Sequence, residues 1–535
     1  MSLPHSLRWT ICAAIALVCA SAVRGILAAP QPQALTIDAS KFASAAELER
    51  DVDAICSGGL RMPGGKLHKQ KVAWFEGQLK AIPGVTLSSH EYGLTSWEPL
   101  EGQTLEQAGG LRVDGASLDI ASAIAYSKPT GAKGVTAPLV FLPSGTPITA
   151  DNAAGKVVVR DIDYSNVLPY GVVLVPSYSN TGDFTSVLLK SYKRPATAPQ
   201  LLADMLAAGT AGAAGVVTAY DVPRSYMRSA FTPHDGTMYR VPGVFVGVDE
   251  GATLKAAARR GASATLRVEA QVYRTTTRNL YATLPGQSPE TVVYVTHTDG
   301  VSYVQENGGA ALLALLRYFA ALPLSQRGRT LQFAFNSGHL HLSREGTDFF
   351  SRTVADGLAS NNVTLVVPVE HMATREVEQV ARAGGQPGSE LRYTGKGEAM
   401  LWCVGPMRAV VGAVQAAVAR RRLDRTIVTR GAGLPNPAVV PMYTSFAGLG
   451  SYFHTRLVPT TALISGPWTL WAPSWGKGAV DFARMRAQTL ALGDVYFGVA
   501  GAAKADIDAG YAAYRRQRDA GTPQFELFVP PESAP

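Results

Sequence analysis

The chain has 535 residues, of which 47% are apolar and 17% charged, and its formal net charge is +8. That is enough chain for two or three domains with a sizeable core, and too apolar for a disordered protein. The positive charge is spread without a long basic run or an aromatic-and-basic stripe, so composition points away from a nucleic-acid partner.

The first residues read as a targeting segment. Arg8 supplies a positive start, Trp9 to Cys19 a short apolar run, and Ala20-Ser21-Ala22 a small-x-small cleavage site. Residues 1–22 are therefore expected to be a signal peptide, and the protein to be secreted or periplasmic. The apolar run is short for a membrane span, and no later segment is long and apolar enough, so no stable span is expected after cleavage. Cys56 and Cys403 remain once the leader is gone. They read either as one bridge in an oxidising compartment or as two buried thiols. Two cysteines are too few for a zinc site built on Cys₄ or Cys₂His₂.

Two amphipathic helices follow, one over Ser44 to Cys56 with Leu48, Val52 and Ile55 on one face, the other over Leu67 to Ile82. Pro83-Gly84 stops the second, and Val85 to Tyr92 begins a strand. The glycine-rich loop between the helices carries Arg61, which with His68 shows no marked functional signal. From about residue 118 short β-rich runs alternate with two helices, Leu201 to Gly212 and Gly251 to Ala262, which suggests a compact α+β module. His234 lies in a loop of this stretch and reads as a surface histidine. After Arg274 strands and helices alternate: strands at Asn279 to Leu284, Thr291 to Thr296, Thr330 to Phe335, Asn362 to Val369 and Thr460 to Ile464. Helices are expected at Ala310 to Ala321, Val410 to Arg422 and Val480 to Ala500. This pattern predicts a three-layer α/β/α domain with a mostly parallel sheet. The domain would comprise residues 31–117 and 274–510, interrupted by the α+β module at 118–273 and followed by a tail at 511–535.

Polar clusters fall at the carboxyl ends of three successive strands, where open α/β sheets bind ligands. His297 and Asp299 follow the first, with Glu306 and Asn307 in the next loop. His339 and His341 follow the second. Glu370 and His371 follow the third, with His371 expected to point away from Glu370 on an extended chain. Imidazole and carboxylate together suit a divalent metal, with Asp299 orienting His297 and a carboxylate serving as general base. A serine hydrolase would need a Gly-x-Ser-x-Gly elbow, and a dinucleotide enzyme a Gly-x-Gly-x-x-Gly turn; neither is present.

These residues resemble the zinc aminopeptidase and carboxypeptidase family with two co-catalytic metals. HTDG at 297–300 matches its His-x-Asp. ENGGAALLALL matches its Asp-Asn before an apolar helix, with Glu306 at the metal-bridging position. FNSGHLHLSREGTDFF matches its third element, with Leu340 and His341 where the family has a Glu pair. Glu370 stands at the next metal-ligand Asp. SYFHTRLVPTTALISGP is similar to the late loop and strand, with His454 as the nearest late histidine. The stretch with GKVVVR, AGTAGAAGVV and VPGVFVGVDEGATLKAA resembles the inserted protease-associated domain.

The resemblance implies a zinc-dependent amino- or exopeptidase acting on peptide substrates, with one or two ions. The metal candidates are His297, Glu306, His339, His341, Glu370 and His454, and the catalytic ones Glu306 and Asp299; no other cofactor is expected. One form is a single-metal site of His297, His339 or His341, and Glu370, with Glu306 as base or bridging ligand. The alternative is a catalytically inactive relative that binds peptides or a partner protein. The sequence leaves the oligomeric state open.

Overall fold

In the computed structural model the described residues are 35–163, 177–184, 200–234, 236–341, 345–360, 362–431, 433–436, 446 and 448–524. The expected leader at 1–22 and the end of the tail lie outside them. Among the described residues no helix is long and apolar enough to cross a membrane.

The strand at Ser288–His297 is the middle of the main sheet. It pairs in parallel with Arg329–Asn336 on one side and with Val363–Pro368 on the other. Beyond Arg329–Asn336 lie Ala270–Leu284 and then Thr86–Pro99, both antiparallel. On the opposite side, parallel bridges Val366–Thr460 and Val369–Leu463 join the sheet to Thr461–Ile464. From there it continues through Met400–Val404, Thr426–Thr429 and Ser177–Thr181. The sheet is thus parallel at its centre and mixed at its flanks.

The β-branched runs at its centre are apolar at every position because both faces are covered. Val292 and Tyr294 pack on one face against helices Ala45–Cys56, Gly308–Ala321 and Phe482–Gly498. Val293 and Val295 pack on the other face with Phe350 and Val354 of Thr347–Asp356 and with Leu449 and Phe453 of Gly448–Thr455. This alternation makes the three layers expected from the sequence. The helix Ala45–Cys56 starts with a capping box, Ser44 with Glu47. Helix Lys504–Asp519 runs past residue 511 and buries Ile507 and Tyr511.

A second, eight-stranded sheet is drawn from residues 109–268. Its centre is parallel, in the order Val135–Phe141, Val157–Asp161, Gly215–Ala219 and Gly243–Val246. The chain leaves the main sheet on Thr86–Pro99 and returns on Ala270–Leu284, which pair from Thr86–Thr283 to Pro99–Ala270. Two adjacent strands therefore carry the whole excursion, and the second sheet is tied back by Trp97 Nε1 donating to Ser127 O at 2.9 Å. The hairpin Arg375–Ala381 and Ser389–Gly397 forms a third, two-stranded sheet. Its polar alternation gives no core-facing pattern that would mark it in the sequence.

Gly308 allows the apolar helix to sit directly on the strand ends. A Cβ there would lie 2.3 Å from Val369 O and 2.6 Å from Thr296 Oγ1. Gly308→Ala is expected to destabilise the protein by about 1–3 kcal/mol, as overpacking does. A chemical-denaturation midpoint equal to that of the parent would contradict this packing.

Candidate metal centre

His297 ends the central strand and is fully buried. Its Nδ1 lies 2.7 Å from Asp299 O. A carbonyl only accepts, so Nδ1 carries the ring proton and Nε2 presents a lone pair. His371 repeats the arrangement, with Nδ1 2.8 Å from Ser465 O. Glu370 stands between them. One of its oxygens accepts from Leu449 N at 2.6 Å, at the start of helix Gly448–Thr455. The other, Oε2, has no partner and lies 3.8 Å from His297 Nε2 and 3.6 Å from His371 Nε2.

Three acceptor atoms therefore converge, none of them with a hydrogen-bond partner. All lie within 4.8 Å of one another. Ligands at about 2.0–2.1 Å around a tetrahedral zinc stand about 3.3 Å apart, and two imidazoles with one carboxylate make a usual three-ligand set with an open fourth position. The donor set fits a divalent ion of the zinc type. Burial holds the groups in matching states: it pushes His297 down to about 3, helped by His371, and His371 down to about 4. Burial raises Glu370 to about 7. An uncompensated carboxylate facing only acceptors is costly, and a cation would relieve that cost.

His371 reaches the cluster because it is not on a strand. Val363–Pro368 has ended, and His371 has φ +54°, which swings its ring to the side of Glu370. The extended-chain expectation of opposite sides fails for that reason. The turn is clamped by Asn307, whose side chain donates to Met372 O and accepts from Met372 N, both at 2.8 Å. Gly448 is also required, since a Cβ on it would come within 1.9 Å of Glu370 Oε1.

The other sequence-expected residues take different places. Asp299 accepts from the backbone N–H groups of His339 and Leu340 at 3.1 and 2.7 Å, and burial raises it to about 6. It braces one strand-end loop against the next. His339 is buried and stacked on His297 at 4.1 Å between ring centroids, with Nδ1 unpartnered, but it lies outside the three-donor group. Glu306 is paired with Arg61, and both side chains are buried. Its charge is already matched, so it does not join the cluster. His341 is partly exposed and meets Tyr126 edge-on at 5.6 Å. His454 hydrogen-bonds through Nδ1 to Tyr511 OH at 2.8 Å and stacks on Phe446 at 3.8 Å. It packs as a core histidine, and the late position is served by no described histidine.

Two residues with weak sequence signals belong to the site region. His234, expected on the surface, is partly buried against Trp471 and His339, with Nε2 2.8 Å from His339 O. Arg61 is sealed inside. Only the fold could reveal either, because their partners lie far away in sequence. Cys56 and Cys403 are both buried free thiols, not a bridge.

No family model matches the sequence, and no curated protein matches it. Solved structures do match in fold. The Peptidase M28 precursor of Shewanella amazonensis aligns at TM-score 0.57 and 14% identity, over 86% of this chain and 94% of that one. The zinc aminopeptidase of Bacillus subtilis aligns at TM-score 0.55 and 16% identity, over 85% and 94%. This chain has the zinc aminopeptidase fold. An aminopeptidase from Aneurinibacillus matches at TM-score 0.50 and 14% identity, over 85% and 94%.

The buried titratable groups make metal-free protein sensitive to acid. Burial lowers His68, His297 and His454 to about 3, and His234 and His371 to about 4. Below about pH 6.5 these rings take protons only in the unfolded chain, so their contribution to stability is lost as pH falls. Asp299 and Glu370, raised to about 6 and about 7, act in reverse and favour the folded state at low pH. Five rings outweigh two carboxyls, so the urea midpoint should fall from pH 6.5 to pH 4. A midpoint that stays level or rises over that range would contradict the burial.

Proposed function

We propose that the protein is a metal-dependent peptidase-like hydrolase, with zinc held by His297, Glu370 and His371. The carrying observation is the convergence of three buried, unpaired acceptor atoms at the end of a parallel sheet. A zinc ion there would act as a Lewis acid toward an amide carbonyl. The chain's own residues prepare the site. Asp299 O and Ser465 O fix the two imidazole tautomers, and Leu449 N–H fixes one oxygen of Glu370. Asn336, opposite His297 in the sheet, keeps both ends of its side-chain amide buried and unpaired. Such an amide suits a peptide group of the substrate, which needs one donor and one acceptor.

The reading extends to an amino- or exopeptidase, exported by the leader at 1–22. The sheet of residues 109–268 would serve as a protease-associated-like module within the sequence interval 118–273. His234 supports a role for this module at the site, since it reaches from that stretch to His339.

A second reading has one observation in its favour. Glu306 is tied to Arg61, and both side chains are buried. A catalytically silent relative that binds peptides or a partner protein would have the same structure.

Elemental mass spectrometry on protein purified without chelator separates these two readings. Zinc should be retained, and His297→Ala or His371→Ala should weaken its binding by more than about 100-fold. Chelation should abolish hydrolysis of aminoacyl amides, and zinc should restore it. Retained metal without turnover on any amide would favour the silent relative. No retained metal would overturn the hydrolase reading and leave the silent relative.

A further inference from the structure

Two buried carboxylates at neighbouring loops are neutralised in different ways. Glu370 faces lone pairs and awaits a cation. Glu306 already has one, the guanidinium of Arg61, bonded to its Oε2. Arg61 is held from behind by Cys56 O, at 3.0 Å from Nη1, and by Gly59 O. Its backbone is bridged to Gly300, N to O at 2.9 Å and back at 3.3 Å. Gly300 is what admits the carboxylate, because a Cβ there would lie 1.1 Å from Glu306 Oε1. The same oxygen has no partner, and Cys56 Sγ stands 3.8 Å from Oε2. Two carboxylate oxygens and a thiol, all of metal-ligand type, thus share one small buried space with the guanidinium.

We propose that Arg61 is a built-in cation filling a second metal position, so that the chain binds a single divalent ion, and that Glu306 and Cys56 become ligands only when the guanidinium is removed. The placement of the single ion at His297, Glu370 and His371 rests on the metal-site reading above; the role of Arg61 does not. A guanidinium fixed by two carbonyls and a backbone bridge stays in place whatever the metal supply. It occupies the lone pair of Glu306 Oε2 and repels any dication brought beside it. The thiol of Cys56, raised to about 11 by burial, stays protonated.

The test is a cobalt(II) titration of the full chain, read by native mass spectrometry and by thiolate-to-cobalt charge-transfer absorption. The parent should take up one ion with no thiolate band. Arg61→Met should take up two, with a thiolate band that disappears in Arg61→Met/Cys56→Ser. Arg61→Lys, which keeps the charge, should behave as the parent. Two ions or a thiolate band in the parent would overturn the proposal without any variant. So would a folded Arg61→Met, by circular dichroism, that binds one ion and shows no band. A parent that binds no ion, beside an Arg61→Met that binds one with a thiolate band, would uphold the role of Arg61 and remove the metal-site reading instead.

Discussion

The site depends on one electrostatic fact: a carboxylate, Glu370, is buried with two imidazole lone pairs facing its free oxygen. No proton can sit between three acceptors without changing the state of one of them. Both histidine protons are already committed to carbonyl oxygens on the far side of each ring. Burial also works against charging the rings and against ionising the carboxyl. A cation would relieve all of these at once.

Holding that cluster takes backbone precision from several segments. The His297 loop is braced by Asp299, which accepts from two successive backbone N–H groups of the His339 turn. The His371 turn is held by the side-chain amide of Asn307, paired both ways with Met372. Gly308 and Gly448 leave room for the close approach of a carbonyl and a carboxylate. The polar residues around the centre thus divide their work. Three present donor atoms to a shared point, while Asp299 and Asn307 spend their hydrogen bonds on geometry.

The second sheet is coupled to this arrangement. The paired strands Thr86–Pro99 and Ala270–Leu284 carry the chain out and back. A loop from the second sheet's part of the chain returns His234 to the His339 backbone and the Trp471 ring. Phe231 N donates to Trp471 O at 2.9 Å beside it. Displacing this loop would therefore move the wall of the centre, and the excursion is part of the site's architecture.

The sequence by itself determined the layered α/β architecture and the strand ends at which chemistry gathers. Unbroken β-branched runs, apolar helices and polar loops after strands are local signals, and periodicity reads them directly. His297 and Glu370 were legible as candidates for the same reason, since each follows a strand. Tertiary structure decided the rest. His371 joined them through a left-handed turn that an extended chain would not make. His454 was withdrawn by Tyr511 and Phe446, and Glu306 by Arg61, partners 57, 8 and 245 residues away. Which donor atoms end up free is a question of what each side chain meets after the chain has closed, and no local pattern carries that information.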